Sequence, residues 1–131
     1  MRKKAIMSCI LLVFSVCGCS SSAVKYKGYD AKYSWGTLKS DLGFSLEQVY
    51  SASIIAVELL DIGLIESSSD AMTATVIARD IQNDLVRVII RKYAEDKINL
   101  RVLVGDLGNR RKSELIFQSI IKNLEFEAKD G

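Results

Sequence analysis

The side chains of this 131-residue chain that could do chemistry are arginines and carboxylates, because the usual nucleophiles and bases are missing. There is no histidine, which excludes a histidine-based triad and a histidine metal site. The three cysteines, Cys9, Cys17 and Cys19, all lie before residue 20, so the rest of the chain has neither a thiol nor a disulfide. There is no proline either, hence no cis-proline turn. The carboxylates Asp80, Asp84, Glu95, Asp96 and Asp106 fall in turn-like stretches, where Asp is favoured for backbone reasons. None has a visible reason to converge with another into an acid/base pair, and the spacing of a calcium-binding EF-hand is absent. We expect no catalytic residue, no metal and no cofactor.

The arginines are more suggestive. Arg79, Arg87, Arg91 and Arg101 recur at alternate positions with Thr73, Thr75, Ile77, Leu85, Ile89 and Leu103, so one sheet face would carry all of them, with no acid in those three strands. Arginine among exposed aliphatics suits contact with a protein partner and recognition of phosphate or carboxylate. It also suits a plain solvated surface, with arginine stems covering the sheet and their heads in water. A second basic group, Arg110, Arg111 and Lys112, follows Gly105-Asp106-Leu107-Gly108-Asn109. A phosphate-binding Walker loop fails here, because Asp106 and Arg111 stand where glycines are needed. Basic charge at a helix start opposes the helix dipole by about 0.3–1 kcal/mol per exposed group. A bound anion, or Asp106, would relieve that; a solvated basic turn is the plainer reading.

These residues need elements to position them. Trp35 to Leu42 alternates, with Leu38, Ser40 and Leu42 on one side, and reads as a half-buried strand. Ser45-Leu46-Glu47-Gln48 is a capping box opening a helix from Leu46 to about Ile62, with Gly63 as its left-handed stop. Val49, Ala52, Ala56 and Leu60 centre its buried face; Glu47, Ser51, Glu58 and Asp61 form the wet face, in which Ile54 stands out. Leu64–Ser67, Met72–Arg79, Leu85–Tyr93 and Ile98–Val104 read as strands. Met72, Ala74, Val76 and Ala78 would point inward, as would Val86, Val88 and Ile90, then Ile98, Leu100, Val102 and Val104. Symmetrical turns at residues 82–84 and 95–96 pair Val76 with Val88 and Val88 with Val102, which keeps one face buried throughout. A second amphipathic helix spans Ser113–Leu124, with Ile116, Phe117, Ile120, Ile121 and Leu124 as its stripe, before a polar tail. The order β-α-β-β-β-β-α predicts an α+β domain: an antiparallel sheet with two helices packed on one face.

The start of the chain has a different character. Arg2, Lys3 and Lys4 precede an apolar run from Ala5 to Val16, which is too short to span a bilayer core of about 20 helical residues. The run ends in Val16-Cys17-Gly18-Cys19, which resembles the lipobox of bacterial lipoprotein signals. An ordinary secretory signal would favour an A-x-A-like cleavage site. The resemblance implies removal of residues 1–18 and a diacylglycerol on Cys19, usually with a third acyl chain on the new amine. Ser20, where Asp would signal inner-membrane retention in some bacteria, resembles an outer-membrane address. The expected organisation is a signal peptide at 1–18, a lipidated cysteine with a flexible tether at 19–32, and one α+β domain at 33–131. The tether would reach about 50 Å at full stretch. Tyr26, Tyr29, Tyr33 and Trp35 could meet lipid headgroups, although Tyr33 and Trp35 are expected to begin the first strand and pack on the fold. Three of the 18 basic residues lie in the leader, which leaves 15 against 16 acids; this balance offers no case for nucleic acid.

The run Leu46–Leu64, the meander, and Val104-Gly105-Asp106 with Ser113 and Ile116 are together similar to a family of small bacterial lipoproteins of unknown function, over roughly residues 36–124. More loosely the chain resembles the helix-grip domains of lipoprotein C of the outer-membrane β-barrel assembly machine. Neither resemblance supplies a catalytic residue. The expectation is a lipid-anchored protein on the periplasmic face of the outer membrane, held by the lipid on Cys19. It would act as a non-catalytic accessory or interaction module with an envelope protein partner. The alternative is a binding protein for an anionic small molecule or glycan. The contact residues would be Arg79, Arg87, Arg91, Arg101, Ile77, Ile89 and Leu103, or the Arg110–Lys112 turn. Oligomeric state is not legible.

Overall fold

The structure, a computed structural model, describes residues 22–130, with side chains to residue 127. Residues 1–18, the expected signal peptide, and Cys19, the expected lipidation site, lie outside the described residues. The elements are β1 (Ser22–Tyr26), β2 (Tyr29–Ser34), β3 (Thr37–Leu42), α1 (Leu46–Leu59), β4 (Gly63–Ser69), β5 (Thr73–Arg79), β6 (Leu85–Ala94), β7 (Lys97–Val104) and α2 (Arg110–Asp130). The strands form one seven-stranded antiparallel sheet in the order β1-β2-β3-β7-β6-β5-β4. The expected α+β class holds, and both helices lie over the face that carries the buried side chains.

The meander has the expected register. Val76 stands opposite Val88, and Val88 opposite Val102. The row continues through Leu38 to Tyr33. Ala74, Val76, Ala78, Val86, Val88, Ile90, Ile98, Leu100, Val102 and Val104 are all buried. Against them α1 places Leu46, Val49, Ala52, Ala56 and Val57, and α2 places Ile116, Phe117, Ile120, Ile121 and Leu124. Met72 departs from its expected inward place: it stands in the β4–β5 turn, 54% exposed.

The helix ends follow from local chemistry. Ser45 Oγ accepts from Gln48 N–H and Gln48 Oε1 accepts from Ser45 N–H, so both halves of the capping box form. Gly63 is not the stop. Asp61 takes the left-handed conformation at φ 60°; its N–H donates to Glu58 O, and Ile62 N–H donates to Val57 O. This is a Schellman motif with aspartate in the glycine position, and it leaves Gly63 to begin β4. Leu60 becomes the cap residue and is partly exposed. Ile54, expected on the wet face, is half-buried against the core, because α1 packs on α2 as well as on the sheet. Asn109 caps α2 by accepting from Lys112 N–H at 3.0 Å, so the helix starts three residues before Ser113. It also continues through the expected polar tail.

The main correction lies at residues 22–34. Residues 22–32 of the expected tether form, with Tyr33 and Ser34, a β-hairpin, β1–β2, added to the edge of β3. Lys27 (φ 50°) and Gly28 (φ 85°) form its turn, and Trp35 (φ 52°) and Gly36 (φ 78°) form the next. Positive φ at both central residues is what a two-residue hairpin turn of type I′ requires. Val24 and Ala31 are buried while their neighbours Ala23, Lys25, Asp30 and Lys32 are exposed, the period of a half-buried strand. Tyr33 packs on the core as expected. Trp35 does not: it sits on the turn, 89% exposed.

Candidate binding surface

The face of the sheet turned away from the helices carries the arginines. Arg87 stands between Ile77 and Leu103, and Ile89 between Thr75 and Arg101. Arg91 lies between Thr73 and Asn99, and Arg79 opposite Leu85. Ile77, Ile89 and Leu103 are half-buried between the exposed arginines. Arg87 and Arg91 have no ion-pair partner among the described residues. Arg79 donates to Asn83 O at 3.0 Å, and Arg101 Nε to Asn99 Oδ1 at 3.3 Å.

The fold adds three lysines to this surface. Because β3 lies beside β7, Lys39 stands directly opposite Arg101, and Lys32 of β2 stands opposite Lys39. Three cations therefore form one row across three strands. Like charges directly opposite one another are destabilising, by roughly 0.2–1 kcal/mol per pair. Beside the row, Lys25, Lys32, Lys39, Asp30, Asp41 and Asn99 line an open cavity of ≈ 590 Å³. Asp41, the acid nearest Arg101 in the register, already accepts from Asn99 Nδ2 at 3.0 Å. Lys25 and Lys32 fall within residues 19–32, the expected tether, and Lys39 lies in the expected first strand, whose place beside β7 the sequence does not show. The signal for the hairpin was there: Lys27-Gly28 and Trp35-Gly36 are X-Gly pairs flanking alternating runs.

The Arg110–Lys112 turn is organised differently. Lys112 Nζ donates to Asp80 Oδ2 at 2.6 Å, to Asp84 Oδ2 at 2.9 Å, and to Gln82 Oε1. An ammonium has three N–H donors, so all of them are matched. Two carboxylates thus do converge, but on a lysine. Burial pushes the Asp80 carboxyl up, yet the Lys112 hydrogen bond and the N–H groups of Asp84 and Gln82 outweigh it and hold Asp80 below the usual carboxylate range. Asp80 is then ionised at neutral pH and is no proton donor. Arg110 pairs with Glu114 at 2.6 Å, reaches Ser22 Oγ, and lies over the Tyr33 ring. Relief of the helix dipole comes from Asp80, Asp84 and Glu114 rather than from Asp106. Arg111 is exposed and has no ion-pair partner among the described residues.

This network makes a prediction about pH. The lowered Asp80 carboxyl contributes stability that is present above its unfolded value, about 4, and is lost as pH falls through its lower folded value. Hydrogen bonds to Asp80 and Asp84 raise the Lys112 ammonium, so its contribution is lost only as pH rises past the ordinary lysine range. Lys112→Met should lower the melting temperature at pH 7 and flatten the loss of stability as pH falls below about 4. An unchanged acid limb in thermal melts would remove Lys112 as the cause.

Among the described residues no group of three metal-ligating side chains exists, and no helix is long and apolar enough to cross a membrane. The model of a family described as protein of unknown function (DUF3568) matches residues 3–123. The chain belongs to this family. The family match takes in the apolar run at residues 5–16, Cys19, the added hairpin and most of α2, so the hairpin is part of the family's domain. No curated protein matches the chain.

Proposed function

We propose that this chain is a lipid-anchored envelope protein, acylated on Cys19 and exposed to the periplasm at the outer membrane. Its domain acts as a non-catalytic interaction module through the basic face of the sheet. The observation that carries the surface assignment is the row Lys32–Lys39–Arg101, with Arg87 and Arg91 as the diagonal neighbours of Arg101 on β6. Like charges aligned across three strands lower the stability of the free domain. A partner presenting carboxylates or phosphates removes that penalty and covers the aliphatics between the arginines. The anchor reading is supported by Val16-Cys17-Gly18-Cys19 and by a family match that includes it.

A double variant, Arg87→Glu with Arg101→Glu, tests the face. Crosslinking in cells should lose a partner of defined size by about tenfold or more. The melting temperature should hold or rise, since Glu at residue 101 faces Lys39. Retained capture would remove the face from consideration. The open cavity beside Lys32 and Lys39 favours a second reading, a binder of an anionic small molecule or glycan. In that case phosphate or a uronate oligosaccharide should raise the melting temperature of the wild type in proportion to its excess, and the double variant should not respond.

A further inference from the structure

The strand directions bring one set of chain segments to a single end of the sheet. Ser22 at the start of β1 pairs with Tyr33, so the chain enters beside the β2–β3 turn. At that same end lie the β5–β6 turn, the loop after β7, the close of α1 and the first turn of α2. The three most exposed large apolar residues of the described chain all project there: Leu107 at 95%, Ile81 at 92% and Trp35 at 89%. Leu59, next at 67%, is also at this end. In sheet order the turns bearing Trp35, Leu107 and Ile81 follow one another, over about 15 Å at the usual strand spacing of about 4.8 Å. Leu107 and Trp35 are held together, because the backbones of Gly36 and Gly108 touch. A cavity of ≈ 310 Å³ continues the surface inward, lined by Leu60, Ile81, Leu115 and Ile116 together with Asp80, Gln82 and Lys112.

We infer that this end of the domain docks on the bilayer, with Trp35, Ile81 and Leu107 inserted at the headgroup–acyl boundary. The inference rests on the anchoring reading, and the length of the chain before β1 decides between occupants. Cys19 precedes Ser22 by three residues, which span at most about 11 Å. The lipid on Cys19 therefore holds Ser22, and the end it marks, close to the membrane surface. The opposite end of β7 stands about 25 Å further along the strands. A tryptophan and two aliphatic tips on tight turns have the composition of an interfacial contact. Charge does not drive it. Lys112 offsets one of the two charges of Asp80 and Asp84, and Arg110 offsets Glu114; Arg79 and Arg111 balance Asp61 and Asp106, so a single negative charge is left over and nothing here attracts anionic lipid. The docking should accordingly be nearly independent of salt and of anionic lipid. It would also stand the strands upright on the membrane, so that the arginine face looks sideways to a partner.

Trp35 is the one tryptophan of the chain, so its fluorescence reports the contact directly. Full chain purified from membranes would be placed in phosphatidylcholine vesicles, with and without phosphatidylglycerol, and the mass of the Cys19 peptide measured in parallel. With Cys19 acylated, Trp35 emission should shift to the blue, be quenched by lipids brominated near the headgroup, and be shielded from aqueous iodide, alike in both lipid mixtures. Ile81→Asp with Leu107→Asp should keep the acyl mass and lose the quenching. Acylated protein whose Trp35 stays open to iodide overturns the docking and leaves the anchor intact. Quenching that survives the double variant also overturns it. An unacylated Cys19 overturns both readings.

Discussion

Replacing Cys19 with serine should abolish incorporation of labelled palmitate and keep the chain out of the outer-membrane fraction. The reason is chemical: the diacylglycerol is carried on a thioether, which a hydroxyl does not replace. It is also energetic. Each buried methylene contributes about 0.8 kcal/mol, so two long acyl chains hold the protein by on the order of 20 kcal/mol, whereas a single chain is marginal. Among the described residues no helix is long and apolar enough to cross a bilayer. The leader should then remain uncut, and the variant should run as the longer precursor. The control is Cys17→Ala, which puts a commoner small residue beside Gly18 and should leave acylation unchanged. Palmitate uptake by the Cys19→Ser chain would sink the anchor assignment, and equal loss in the Cys17 variant would move the site.

Gly108→Ala should be the most damaging small substitution in the folded domain. Gly108 has φ +88°, and an added Cβ would lie 2.4 Å from Gly36 Cα, 2.6 Å from the Tyr33 hydroxyl and 2.9 Å from Gly36 O. Two of those three neighbours are backbone atoms of the β2–β3 turn and cannot rotate away. Left-handed strain of about 1–2 kcal/mol adds to about 1–3 kcal/mol for overpacking, against a total stability of roughly 5–15 kcal/mol for a native domain. A fall in melting temperature of about 10–20 °C follows for a domain near 100 residues. Gly28→Ala separates the two causes: its φ is +85° but nothing lies within 4 Å of the added Cβ, so it carries the strain alone. If Gly108→Ala proves no worse than Gly28→Ala, the contact between the turn and the loop after β7 has no energetic weight. The same comparison bears on the membrane end, because that contact sets Trp35 beside Leu107.

The capping box, the helix stripes and the inward parity of β5, β6 and β7 were legible because each is a short-range pattern with its own physical cause. Ser45 and Gln48 satisfy each other's N–H groups within one turn, and a one-residue slip anywhere in the meander would turn every valine to water. The stop of α1 was misplaced by two residues because Asp61 tolerates the left-handed region that Gly63 was expected to fill. Ile54 seemed stranded because a helical wheel knows one partner surface, and α1 has two. The hairpin at residues 22–34 was missed for a different reason. Its lysines, serines and tyrosines look like linker composition, and the alternation of Val24, Ala31 and Tyr33 becomes significant only once the Lys27-Gly28 turn is read as a turn.

The class of the domain, the arginine pattern on one face of the meander, and the lipobox-like run Val16-Cys17-Gly18-Cys19 on which the anchor proposal rests can be read from sequence alone, because they depend on neighbours a few residues apart. Only the tertiary structure decided that β3 lies beside β7, which lines Lys39 and Lys32 up with Arg101. It likewise decided that Lys112 is enclosed by Asp80, Gln82 and Asp84, and that Ser22, Trp35, Ile81 and Leu107 share one end. Those are pairings between distant segments. They are selected by the burial of a whole sheet face under two helices, a collective free energy that no local stretch of the chain contains.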